Sequence, residues 1–164
     1  MGAQAWSGSS LTVYHEKPTT HRQLLLASAA LAAGVPQWGS CWGMQLAARA
    51  AGLPTERNPL GREVGLARSV RPTPAGQRHP MFAGGAGERG GAFDALCMHS
   101  DHVMPPSAWG ALGEGVSATV LAGNTWSPVQ ALEVKFERSG GVFWGTPPAS
   151  PLNVHTAPRT MHVS

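Results

Sequence analysis

The sequence predicts an α/β protein in which a mostly parallel sheet is covered by helices on both faces. Three observations carry that prediction. An apolar helical stretch ends at Gly34 and Pro36, a short strand then turns sharply into an Ala-rich helix, and the second half of the chain is dominated by strands. Parallel strands need long crossovers, and helices that make the crossovers also cover the sheet.

The first helix is expected over Thr19–Ala33. Thr19 or Thr20 can cap it, Leu24, Leu25, Leu26, Ala29 and Leu31 give it an apolar face, and Gly34 can adopt the left-handed conformation that ends helices. Pro36 blocks continuation. PQWGS reads as a short buried strand, and after Cys41 the run WGMQLAARAAG returns to helical spacing through Met44, Leu46, Ala47 and Ala50. LPTERNPLGR has loop chemistry. EVGLARSVRPT reads as a strand, AGQRHPMFAG as a turn or short helix, and GGAGERGGA as a surface loop. FDALCMHSDHV runs from strand into loop, PPSAWGAL is a turn, and SATVLAGN, SPVQALEVKF and GVFWG form three strands. No fixed-period repeat occurs. One domain is expected over residues 1–146, with a Pro-rich, unstructured tail over 147–164.

Composition narrows the function. With 164 residues, 42% hydrophobic and only 13% charged, the chain can bury a sizeable core. The net charge of +3 comes from scattered Lys and Arg rather than a stripe, which argues against a nucleic-acid partner. LLLASAALAAGV is interrupted and too short for a membrane span, and MGAQAWSGSS lacks the pattern of a secretory signal, so a cytoplasmic location is expected. The two cysteines, Cys41 and Cys97, sit in unlike surroundings and need not pair.

Gly39, Cys41 and Gly43 form G-x-C-x-G between a strand and a helix. Glycines on either side allow a tight turn that pushes the thiol outward, toward the positive end of the following helix. Such a setting favours thiolate, and the backbone N–H of Trp42 would face an oxyanion at an attacked carbonyl. A buried, inert cysteine between glycines is the competing reading of these residues.

GVPQWGSCWGMQLAARAAG resembles the elbow of class I glutamine amidotransferases. NPLGREVGLARSV, AGQRHPMFAG, FDALCMHSDHV and SPVQALEV follow in the order seen in the stand-alone branch, which is similar to the amidotransferase domain of GMP synthase. SGSSLTVYHE resembles the loop after the third strand of that branch, so the likeness covers roughly Trp6 to Thr146. It implies a three-layer, flavodoxin-like fold. It also implies glutamine hydrolysis through a Cys-His-Glu triad, with ammonia passed to an acceptor on a synthase subunit. Carried over, Cys41 is the nucleophile, Gly8 and Trp42 supply the oxyanion hole, and Gln45, Ser100 and Asp101 hold the substrate. On the residues alone, Gln45 reads as a solvent-facing helix position and Asp101 as a loop cap.

His99, Asp101 and His102 are close in sequence, but no second cluster completes a metal shell, so neither metal nor cofactor is expected. His79 reads as a surface histidine, Cys97 as a buried small residue, and Trp38, Trp42 and Trp144 as core or pocket wall. The resemblance departs at both ends. The family's Q-x-H-P-E continuation would start after Thr146, where this sequence has Pro147, Ala149 and Pro151 at the Gln, His and Glu places. His155 and His162 lack that spacing. Only MGAQAW precedes the SGSS loop, so an incomplete domain altered at its C-terminus is expected. An inactive glutamine- or partner-binding remnant and a γ-glutamyl hydrolase on the same scaffold are the alternatives.

Overall fold

The computed structural model describes residues 2–15, 17–83 and 91–146. The expected tail, the departures at Pro147, Ala149 and Pro151, His155, His162, and most of the Gly-rich loop lie outside the described residues.

The chain opens with β1 (Gln4–Trp6), crosses through α1 (Pro18–Ala32), and continues through β2 (Gln37–Ser40) into α2 (Trp42–Ala50). α1 starts one residue before the expected threonines because Pro18 takes the first helical position, where its missing N–H costs nothing. Lys17 is the flanking residue and offers no side-chain cap. Gly34 ends α1 as expected, with φ +74°. The later elements are β3 (Thr55–Arg57), β4 (Glu63–Pro72), α3 (Pro74–Gln77), β5 (Phe93–His99), β6 (Asp101–Val103), β7 (Val116–Gly123), β8 (Ala131–Phe136) and β9 (Gly141–Thr146).

Seven strands form one sheet in the order β1-β2-β9-β8-β7-β4-β5, and β3 pairs with β6 in a small second sheet. The α/β class is as expected, but parallel pairing is confined to β1-β2 and β2-β9. The other neighbours are antiparallel, so the sheet is mixed rather than mostly parallel. Connection length explains β7, β8 and β9: they follow one another through short turns, and a short turn can only reverse the chain.

The helices are also less evenly placed than expected. α1 and α2 pack against each other and against β2 and β9, with Leu31, Leu46, Leu132, Val134 and Phe143 in one buried cluster. On the opposite face the described cover is α3 and the 3-10 turn Pro80–Phe82 over β7 and β4, where Phe82, Leu121, Ala122 and Ala131 form a smaller core. Trp38, in register with Trp144, faces that side and is 44% exposed rather than buried. His79, expected at the surface, is instead partly buried there. Its Nε2 lies 3.1 Å from Glu133 Oε2, and its ring meets Trp144 edge-on at 4.8 Å between centroids.

Beyond β7 the β4-β5 pair projects as a two-stranded arm. Gly65 has φ +90°, and a register shift between Ala67 and Val70 is fixed by the Ser69 N–H donating to Asp94 Oδ1 at 2.9 Å. Strand alternation gives the arm two unlike faces. Val64 opposes Met98 and Leu66 opposes Leu96 on the exposed face, while Ala67, Ala95 and Cys97 face inward.

Candidate active site

Cys41 sits where β2 ends and α2 begins, with φ 56° and ψ −114°. Such a backbone is strained for a non-glycine residue and persists only where its surroundings impose it. Two glycines explain how. A Cβ on Gly39 would lie 2.8 Å from the Gly43 carbonyl carbon, and one on Gly43 would lie 2.5 Å from the Trp6 carbonyl oxygen. Strand, turn and helix therefore approach more closely than side chains allow. The Cys41 N–H donates to the Thr146 carbonyl at 3.1 Å, tying the turn to the end of β9.

The thiol is half-buried and lies 3.9 Å from the Met98 carbonyl oxygen. Burial pushes its pKa above the ordinary value, and the Trp42 backbone N–H, which donates to the sulfur, offsets part of that shift. Gly8 adjoins the thiol: a Cβ there would lie 3.6 Å from Cys41 Cβ and 3.9 Å from Sγ. Gly8, Cys41 and Trp42 thus converge on one point, although Gly8 is 33 positions from Cys41 in the chain.

A small cavity beside Cys41 is lined by Gln45, His99, Asp101, His102 and Gln130 among others. Gln45 is buried rather than solvent-facing, and its Nε2 donates to the Asp101 carbonyl at 2.9 Å. The Asp101 carboxylate accepts from the Tyr14 hydroxyl at 2.8 Å. Burial, that hydrogen bond and the Asp101 charge together push the Tyr14 phenol up to about 12. Ser100 occupies the bend between β5 and β6, where its carbonyl accepts from the Asn58 N–H at 2.8 Å. Its side chain is not part of the cavity lining.

Behind this layer lies a charged network that the sequence did not announce. Glu63 at the start of β4 is 3.0 Å from His99 Nε2 and accepts from Asn124 Nδ2 and Gln130 Nε2, each at 2.8 Å. Burial alone would raise its pKa, but these hydrogen bonds outweigh burial and hold the carboxyl below its usual range. His99 Nδ1 lies 3.1 Å from the Asp101 carbonyl. Both ring nitrogens therefore face oxygen atoms, which fixes the orientation of the ring. Among the described residues, no group of three or more His, Cys, Asp or Glu side chains is placed to hold a metal ion, and no helix is long and apolar enough to cross a membrane.

The same architecture occurs in solved glutamine amidotransferases. One from Thermotoga maritima superposes with a TM-score of 0.62 and 19% identity, covering 85% of this chain and 53% of that one. Another, from Methylobacillus flagellatus, gives 0.61 and 21% identity over 79% of this chain and 48% of that one. The chain has a glutamine amidotransferase-like fold. A Thermoplasma acidophilum structure, described as one subunit of GMP synthase, gives 0.59 and 17% identity, covering 87% of this chain and 59% of that one. No family model matches. A curated relative, the γ-glutamyl-L-1-hydroxyisopropylamide hydrolase of a Pseudomonas species, is 35% identical over 144 residues, 85% of this chain and 43% of that protein. The chain therefore spans about half the length of the proteins it matches.

Proposed function

We propose that this chain carries a thiol site for γ-glutamyl amides, with Cys41 as the nucleophile. The observation that carries the reading is the strained elbow that aims the Cys41 thiol between the Trp42 N–H and Gly8. The 35% identical γ-glutamyl amide hydrolase supports the substrate class. In the proposed reaction the Cys41 sulfur adds to the side-chain amide carbonyl. The N–H groups of Trp42 and Gly8 take the oxyanion, and on collapse the C–N bond breaks and the amine leaves carrying the proton given up by the thiol, forming a γ-glutamyl thioester. Water cleaves the thioester to glutamate and restores the thiol. Gln45 and Asp101, which line the cavity, help hold the amino-acid end. The leaving group is a small amine, as the relative's name suggests for that enzyme, or ammonia destined for an acceptor on a separate synthase chain, in line with the fold neighbours.

Residues 149 and 151 are Ala and Pro rather than His and Glu, and this favours a second reading, a site that binds γ-glutamyl groups without turnover. Glutamate release from glutamine and from γ-glutamyl N-alkylamides, with a Cys41→Ala control, separates the two. Release that depends on Cys41 supports the hydrolase. Binding without release supports the second reading, and absence of both refutes the substrate class.

A further inference from the structure

The cavity beside Cys41 holds one histidine whose hydrogen-bonding capacity is unspent. His102 lies on β6, is 7% exposed, and has no hydrogen-bond partner at either Nδ1 or Nε2 among the described residues. Burial lowers its pKa, opposed by Glu56 on the facing strand β3, reinforced by His99 and opposed by Asp101, a net shift that favours the neutral ring. A neutral imidazole offers one N–H and one lone pair, and burying either unmet costs about 1–3 kcal/mol. Native proteins rarely carry that cost outside functional sites.

The neighbouring polar groups are already engaged. The Gln45 amide nitrogen is on the Asp101 carbonyl, His99 is between Glu63 and Asp101, and Gln130 donates to Glu63. Asp101 also lines the cavity, with its carboxylate accepting from the Tyr14 hydroxyl and its carbonyl from Gln45. The anionic half of an amino-acid head needs a donor, and His102 is the lining side chain with one to give.

We propose that His102 determines specificity by donating to the α-carboxylate of the γ-glutamyl group. This assignment rests on the γ-glutamyl reading above. An arriving carboxylate turns the unmet ring into a charge-assisted donor and allows it to take up a proton, so the cost carried by the empty site is recovered on binding.

Calorimetry with L-glutamate and with 4-aminobutanoate, which lacks only the α-carboxylate, tests the assignment on the full chain. The parent protein is expected to bind L-glutamate about tenfold or more tightly than 4-aminobutanoate, the effect of one hydrogen bond to a charged group. His102→Leu is expected to erase that preference by weakening L-glutamate alone, and His102→Gln, which keeps an N–H donor, to restore part of it. His102→Leu is also expected to raise Tm, because it removes two unmet polar atoms from the interior; a structural histidine would show the reverse. A lowered Tm with the preference intact, or equal weakening of both ligands, overturns the assignment. Binding of both ligands by the parent without preference overturns it while leaving the γ-glutamyl reading standing. Binding of neither overturns both.

Discussion

Replacing Glu133 with glutamine measures how much of this fold depends on a single carboxylate. Glu133 projects from β8 away from the α1-α2 layer. Its Oε2 accepts from Trp144 Nε1 at 2.9 Å and from His79 Nε2 at 3.1 Å, and Lys135 Nζ lies 2.9 Å from Oε1. His79 Nδ1 accepts from the Met81 N–H at 3.1 Å, which leaves Nε2 to donate to Glu133. Burial alone would raise the Glu133 pKa, but the bonds from His79, Lys135 and Trp144 outweigh burial and bring it from 4.5 to about 2. At 1.36 kcal/mol per unit, that depression is worth about 3 kcal/mol. Because the folded-state value lies below the unfolded one, the contribution is complete above about pH 4.5 and is lost as pH falls toward 2. Glu133→Gln keeps an acceptor oxygen but not the charge, so a loss of about 2 kcal/mol is expected at neutral pH. The variant and parent should converge in acid. Urea unfolding followed by circular dichroism at neutral pH and at several values below 4.5 provides the comparison. Curves that stay parallel across the acid range would refute the reasoning.

Three further outcomes follow from the same geometry. Gly43→Ala places a Cβ 2.5 Å from the Trp6 carbonyl oxygen, so a net loss of about 1–2 kcal/mol is expected by thermal unfolding despite the better helix propensity of Ala; a raised Tm contradicts the close approach. Tyr14 is the single tyrosine, so absorbance titration reads it alone. A midpoint near 12 is expected, moving down in Asp101→Asn, and titration at 10 in the parent speaks against the Asp101 bond. Iodoacetamide should alkylate Cys41 more slowly than free cysteine near neutrality, with the rate still rising above pH 9; a plateau below pH 8 would mean that burial does not govern the thiol.

The elements legible in the sequence are those encoded locally. α1, α2 and the strands from Val116 onward combine clear periodicity with glycine or proline stops, and the elbow announces itself because two glycines flank one cysteine. The rest is settled by residues far apart. Thr55–Arg57 lies in text that reads as loop, yet it becomes β3 because β6 passes alongside. β1 is only three residues long, too short for a periodic signal. His79 reads as a surface residue because nothing near it in sequence reveals Glu133, 54 positions away. The Glu63 network joins β4 to Asn124 and Gln130 across 61 and 67 positions. Pairing direction departs from the expected mostly parallel sheet because β7, β8 and β9 follow one another through short turns and because β4 and β5 join the sheet edge antiparallel.

The backbone of Cys41 binds the geometry of one thiol to the integrity of a whole region. A non-glycine residue at φ 56° stores roughly 1–3 kcal/mol, and the hydrogen bond to Thr146 and the contact of Gly39 with Gly43 hold it there. Separating β2 from β9 breaks the Thr146 hydrogen bond and leaves only the Gly39–Gly43 approach to hold the cysteine, which then relaxes toward an ordinary conformation in the same event. The elbow therefore does not fray in small steps. It opens with the parallel strands as one cooperative unit, and the labelling rate of this thiol in mild denaturant becomes a clock for that opening.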